Sequence, residues 1–366
     1  MGPPSENVPK LFCCKLGAEP QCQQKEDLMS RTNACFALCL LLICSTVAVV
    51  PASAQHFQLM KGSLTQIAAG RNQVWGLNGG KIYRFHSATK KFVQVSPGFV
   101  LAQIAVGGGS LLQPDEVWAT DSEDLWRFNL STNTWTLETA NSTDFFNVVA
   151  VGEGDEDDSG CHPYEVWALA STFPANPGLP YRFNYCNGSF DQIPLPPNST
   201  TNFTHIATGG SDTWALDANA HIWHYNQYEN TWFQVTKGGF DGTLQQITVG
   251  VNDAWGLDAN GTVYRYVPST ATFVQVQAGS SIDVTQIAAS GDGVWALQAS
   301  SPSSGLCNVY RFQSYGLGSL TPGGGGFQAF CLSSSGSLDA TQIAVGSGAG
   351  IWVVNESGQV NTWVRP

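Results

Sequence analysis

One phrase recurs seven times along this chain, and it limits what the chain can fold into more than any other feature. The copies are Gln66-Ile-Ala-Ala-Gly70, Gln103-Ile-Ala-Val-Gly107, Val148-Val-Ala-Val-Gly152, His205-Ile-Ala-Thr-Gly209, Gln246-Ile-Thr-Val-Gly250, Gln286-Ile-Ala-Ala-Ser290 and Gln342-Ile-Ala-Val-Gly346. A tryptophan follows each copy, at Trp75, Trp118, Trp167, Trp214, Trp255, Trp295 and Trp352. Self-similarity at a fixed period marks a repeat architecture in which no single unit can bury its own faces.

Each unit reads as four short strands. The slim apolar phrase is the first, and the Trp, flanked by Val or Ala and by Leu, lies on the second. Polar turns such as Asp217-Ala-Asn-Ala220 and Asp258-Ala-Asn-Gly261 then reverse the chain, since Asn and Gly tolerate positive φ. The third strand is aromatic and carries a basic residue, as in Ile82-Tyr-Arg-Phe85, Leu125-Trp-Arg-Phe128, Tyr181-Arg-Phe183, Ile222-Trp-His-Tyr225, Val263-Tyr-Arg-Tyr266 and Val309-Tyr-Arg-Phe312. The fourth alternates, for example Phe92-Val-Gln-Val95 and Phe273-Val-Gln-Val276. Such units arranged in a ring predict an all-β fold, a β-propeller of four-stranded antiparallel blades. Seven blades are counted, with a six-bladed ring as the alternative. The seventh unit has no fourth strand after Val360-Asn-Thr-Trp-Val364, whereas Phe57-Gln-Leu-Met60 has the fourth-strand pattern. The N-terminal strand is therefore expected to close the last blade and remove its exposed edge.

These phrases resemble tectonin repeats over essentially all of residues 56–366. The resemblance implies a carbohydrate-binding protein for surface glycans, lipopolysaccharide-like and methylated sugars included, through several weak sites summed by avidity. Lectins of this family have six blades, so the count of seven departs from the pattern. Propellers of the regulator-of-chromosome-condensation type also use an apolar-Ala-Gly strand, so a single repeat is weakly specific, and seven copies with the Trp and the Tyr-Arg strand are much more so.

Ahead of the repeats, Arg31 precedes an apolar run from Ala34 to Val50, and Pro51-Ala-Ser-Ala54 offers a small-residue cleavage site. This reads as a secretory signal peptide over 29–54, with an uncleaved membrane anchor as the alternative. Residues 1–28 read as an upstream extension before a true start at Met29, and 55–366 as the mature propeller, secreted or periplasmic, monomeric and without a membrane span after cleavage. Four of the ten cysteines remain after cleavage, and they fall as pairs in the two longest units. In an antiparallel blade Cys161 and Cys186 lie at one end, and so do Cys307 and Cys331, which predicts Cys161–Cys186 and Cys307–Cys331 disulfides. A four-Cys zinc site would want Cys-x-x-Cys spacing, which is missing.

A formal charge of −12 repels phosphate backbones and disfavours nucleic acid as a partner. No nucleophile elbow, phosphate loop or zinc-protease helix occurs, and no enzyme activity is expected; the alternatives to a lectin are a protein-interaction propeller without sugar binding and, behind it, a glycan-acting hydrolase or lyase with carboxylates in the channel. His221 and His224 sit on opposite faces of a strand, which argues against a shared metal. No cofactor is expected, although the acidic run Gly152-Glu-Gly-Asp-Glu-Asp-Asp-Ser-Gly160 could offer a calcium ion its carboxylates or simply be solvated. Arg84, Arg127, Arg182, Arg265 and Arg311 recur in nearly every unit and so read first as scaffold, stacked on the tryptophans or paired with turn carboxylates; the alternative is that one takes a sugar hydroxyl or an anionic sugar. The candidate carbohydrate-binding residues lie in the loop between first and second strands: Asn72, Gln73, Asp212, Asn252, Asp253 and Asp292, beside Ser211. Short planar hydrogen-bonders of this kind recognise sugar hydroxyls beside an aromatic platform, or else cap turns. Sequons occur at Asn129, Asn141, Asn187, Asn198, Asn202, Asn260 and Asn355.

Overall fold

The computed structural model describes residues 56–366, apart from 96–97, 110–112, 140–143, 154–160, 173–175, 197–201, 211, 236–242, 251–252, 277–281, 292, 300–307, 315–324, 331–337 and 365–366. The expected leader, the Cys307–Cys331 pair, most of the acidic run, and Asn252, Asp292 and Ser211 lie outside the described residues.

Among the described residues, 28 strands form seven four-stranded antiparallel blades. Blade 1 consists of Gln66–Ala69, Val74–Asn78, Lys81–His86 and Lys91–Val95. Blade 7 consists of Ala340–Gly346, Gly350–Asn355 and Gln359–Val364, completed by His56–Ser63 from the start of the described chain. That closing strand pairs antiparallel with the third strand of blade 7, His56 opposite Val364 and Met60 opposite Val360. It is longer than the Phe57–Met60 stretch that the repeat pattern defines, because its backbone pairing extends past the apolar positions into exposed Lys61 and Ser63. The seven first strands abut in sequence and return from blade 7 to blade 1, which closes the ring.

The first strands are slim for a steric reason. A Cβ on Gly346 would collide with the Gly70 carbonyl oxygen of blade 1, so no larger residue fits where the inner strands converge. Side-chain amides then fasten several inner strands to the next. Gln66 Oε1 accepts from Ile104 N at 3.1 Å, Gln103 Oε1 from Val149 N at 2.9 Å and Gln286 Oε1 from Ile343 N at 2.9 Å. Gln246 does both, accepting from Ile287 N and donating to Ile287 O, each at 2.9 Å. The recurring Gln that opens the phrase is therefore a blade-to-blade clip.

The tryptophans supply the core between blades. All seven are at most 3% exposed. Trp75 meets Phe128 of blade 2 edge-on at 4.7 Å, and the same contact recurs as Trp118–Phe183, Trp167–Tyr225, Trp214–Tyr266, Trp255–Phe312 and Trp352–Phe85, the last across the closure. Edge-to-face pairs of this type contribute roughly 0.5–1.5 kcal/mol each beyond the area they bury. At the sixth junction Phe330 fills the space between Trp295 and Trp363.

Blade 3 carries the Cys161–Cys186 disulfide, with a Cα–Cα distance of 4.9 Å. It ties the chain before the strand Tyr164–Thr172 to the turn after the strand Asn176–Asn184, the same end of the blade.

Candidate functional site

The repeat builds one polar device in most blades. On the third strands of blades 1 to 6 the basic residue stands opposite the blade's Trp, as Arg84 does to Trp75 and Arg182 to Trp167. Cross-strand neighbours share a face of the sheet, so the cation lies over the indole ring. The distances from the guanidinium to the ring centre are 5.6 Å for Arg84, 5.7 Å for Arg127, 5.8 Å for Arg182, 5.5 Å for Arg265 and 5.4 Å for Arg311. In blade 4 the ring of His224 stacks on Trp214 at 4.1 Å instead.

The residue two positions before the Trp faces that cation. Arg127 donates to both carboxylate oxygens of Glu116 at 2.8 Å, and Arg182 makes the same fork with Glu165. His224 meets Asp212 at 2.9 Å, and Arg265 meets Asp253 at 3.4 Å. Burial works to lower the Arg127 pKa, but the hydrogen bonds and charge of Glu116 outweigh it and hold the guanidinium above its usual range. Glutamate is long enough to accept from the indole as well: Glu116 takes Trp118 Nε1 at 3.0 Å, and Glu165 takes Trp167 Nε1 at 2.6 Å.

Blade 1 departs from this scheme. Its partner is the neutral Gln73, whose Oε1 accepts from Arg84 Nε at 2.8 Å. Burial alone lowers the Arg84 pKa, with no carboxylate to oppose it.

Beside Arg84 opens a cleft of about 1210 Å³ between the outer strands of blades 1 and 2, reaching blade 7 at Trp352. Arg84 and Val93 share the face of blade 1 that looks toward blade 2. On the blade 2 side stand Trp126, Trp135, Asn133 and Thr134. Trp126 is held flat by Phe99, stacked at 3.8 Å, and by its own Nε1 bond to Asp121 Oδ2 at 3.0 Å. The result is a fixed aromatic plane next to planar amides, hydroxyls and a cation.

The sequence-derived candidates separate accordingly. Asn72 and Gln73 both line this cleft. Asn72 is further positioned by its backbone N–H, which donates to Asp115 Oδ2 of blade 2 at 2.6 Å. Asp212 and Asp253, equivalent to Gln73, are engaged by their own blades' His224 and Arg265. The two histidines of blade 4 diverge, His221 Nδ1 meeting Asp217 Oδ2 at 3.0 Å while His224 meets Asp212. Phe99, Trp126 and Asn133 had no signal in the repeat phrase, because Phe99 sits in the link between blades and Trp126 occupies a position that is Tyr in most units.

No family model matches the chain, and no curated protein does. Solved structures share its fold. YCF48 bound to a D1 peptide is 10% identical with a TM-score of 0.56, over 85% of this chain and 97% of that one. YCF48 from Cyanidioschyzon merolae is 13% identical with a TM-score of 0.56, over 84% and 98%. Human WBSCR16 is 14% identical with a TM-score of 0.53, over 84% and 88%. Likeness at this identity establishes the propeller fold and nothing finer.

Proposed function

We propose that this protein is a carbohydrate-binding propeller, a secreted lectin of the tectonin-repeat type, and that it takes saccharide in the cleft between blades 1 and 2. The observation that carries this reading is the fixed Trp126–Phe99 stack lining one cleft together with Asn72, Gln73 and Arg84. A pyranose presents C–H groups on its face and hydroxyls on its edge, and a cleft that combines aromatic rings with amide and guanidinium donors offers partners for both. Secretion is supported by the leader pattern and by the Cys161–Cys186 bond, since disulfides persist in oxidising compartments.

A second reading has its own observation. Tyr228 and Phe233 of blade 4 are 91% and 40% exposed, aromatic surface suited to a protein partner. Among the fold neighbours, YCF48 has been solved with a bound peptide.

The test is a glycan array probed with residues 55–366, with and without a chelator, followed by competition with free sugar. Saturable, competable binding that is lost in Trp126→Ala establishes the cleft as a sugar site, and loss in chelator brings the acidic run of blade 3 into play as a calcium site. A folded protein that binds nothing on the array leaves the protein-interaction reading ahead.

A further inference from the structure

The charge of this molecule is unevenly spread. From residue 56 to residue 114 the chain contains Lys61, Arg71, Lys81, Arg84, Lys90 and Lys91 and not one Asp or Glu. This stretch is the closing strand, blade 1 and the first strand of blade 2. Every carboxylate side chain of the propeller comes later, so a chain of net charge −12 carries a basic pole centred on blade 1.

The cleft belongs to that pole. Arg71, Arg84 and His86 line it; no Asp or Glu is among its described lining residues, although Asp115 of blade 2, which accepts from the Arg71 and Asn72 backbone N–H groups, offsets the charge of Arg71 and leaves Arg84 as the cation without a facing carboxylate. The equivalent place in blade 2 is the reverse, a pocket of about 440 Å³ in which Asp115, Glu116 and Glu138 surround Arg127. A guanidinium has five N–H donors, and among the described residues Gln73 takes one from Arg84. At the outer end of the cleft His86 stands opposite Lys91 on the same sheet face, and Lys91 is in turn the register partner of Lys61 on the closing strand. Two like charges directly opposite one another are destabilising unless an anion lies between them.

We infer that the cleft of blade 1 binds an acidic saccharide, with Arg84 gripping one carboxylate or sulfate and Lys61 and Lys91 meeting the next along the chain. The guanidinium fork matches the planar oxygens of either group, and the ammonium groups need only proximity. Trp126 and Phe99 seat the ring that carries the anion. The assignment rests on the cleft being a sugar site and specifies which sugars enter it.

The decisive variant is Gln73→Glu. Blades 2 and 3 already hold a glutamate at this place, where it satisfies both the arginine and the indole N–H, so the substitution fits the scaffold and gives Trp75 Nε1 an acceptor it lacks among the described residues. It also cancels the charge of Arg84. Titration calorimetry of residues 55–366 would compare tetragalacturonate, its methyl ester, a sulfated galactan tetrasaccharide and single-stranded oligo-dT of similar charge.

The expected result is that an acidic saccharide binds about tenfold or more tightly than the uncharged ester. The advantage should fall steeply with salt and disappear in Gln73→Glu, whose melting temperature stays at or above that of the parent. Whichever of uronate and sulfate binds names the source of the anion. Equal binding of acid and ester, or an unchanged affinity in Gln73→Glu, overturns the inference while leaving the lectin reading in place. Oligo-dT binding as tightly as the saccharides reassigns the pole to single strands, and a folded protein that binds no saccharide removes both readings.

Discussion

Glu165 and Arg182 form a buried ion pair in blade 3: the Glu165 side chain is 2% exposed, that of Arg182 11%, and Arg182 Nε meets Glu165 Oε2 at 3.0 Å. The same carboxylate accepts from Trp167 Nε1, so one side chain satisfies two buried donors. Glu165→Ala strands a desolvated cation and an indole N–H together, which is expected to cost about 3–5 kcal/mol. In Glu116→Ala the released Arg127 is 32% exposed and water can reach it, so a loss nearer about 1–2 kcal/mol is expected. Denaturant titration of the two variants side by side checks the contrast; equal losses would mean that burial does not set the strength of this pair.

His205 occupies the place of the clipping glutamine in blade 4. Its ring contacts Thr204 Oγ1 of its own strand at 3.2 Å. His205→Gln is expected to recreate the clip toward the inner strand of blade 5, Gln246–Val249, and to stabilise the protein by about 0.5–2 kcal/mol. A shift of the thermal transition in the opposite direction would show that the clip requires more than the right side chain.

The Cys161–Cys186 bond closes a 25-residue separation in blade 3. On a loop-entropy argument its removal in a Cys161→Ser, Cys186→Ser double variant should cost about 3 kcal/mol. Reductant should lower the melting temperature of the parent by more than that of the double variant, which keeps only the expected Cys307–Cys331 pair.

Glu138 sits in the blade 2 pocket, where burial raises its carboxyl above the ordinary 4.5, Arg127 working against the shift and Glu116 with it. The folded protein therefore holds this proton more tightly than the unfolded chain. Its contribution is favourable below pH 4.5 and is lost as pH rises through the folded value. Glu138→Gln cannot ionise, so its stability should decline less between pH 4.5 and 7 than that of the parent. Urea midpoints at four pH values would show it, and parallel slopes for the two proteins would refute it.

Much of this architecture is legible in the sequence because a propeller repeats its physics. Seven slim phrases, seven tryptophans and the Phe57–Met60 pattern give the blade count and the closure, since each marks a position every blade must fill alike. The stacked arginines are legible for the same reason. The partner two residues before the Trp of blades 1 to 5 is harder to see, because Gln73, Glu116, Glu165, Asp212 and Asp253 look like unrelated loop polar groups until the register places them beside a cation. Blades 6 and 7 show the rule by exception: Gly293 and Gly350 stand in the acid's place, and in blade 7 Thr362, opposite Trp352, stands in the arginine's. The cleft itself is invisible to the repeat, since it depends on how Phe99, from a link between blades, lies on Trp126.

The closing strand has one more consequence. With His56 paired to Val364, the two ends of the described propeller lie side by side in blade 7. A short linker could join them and new ends could be cut into a turn such as Asp258–Gly261, yielding a circularly permuted ring in which blade 7 is built from uninterrupted chain and blade 5 becomes the blade that clasps the two ends. Such a molecule would present the same seven blades to a ligand while freeing the start of the chain for attachment elsewhere on the rim.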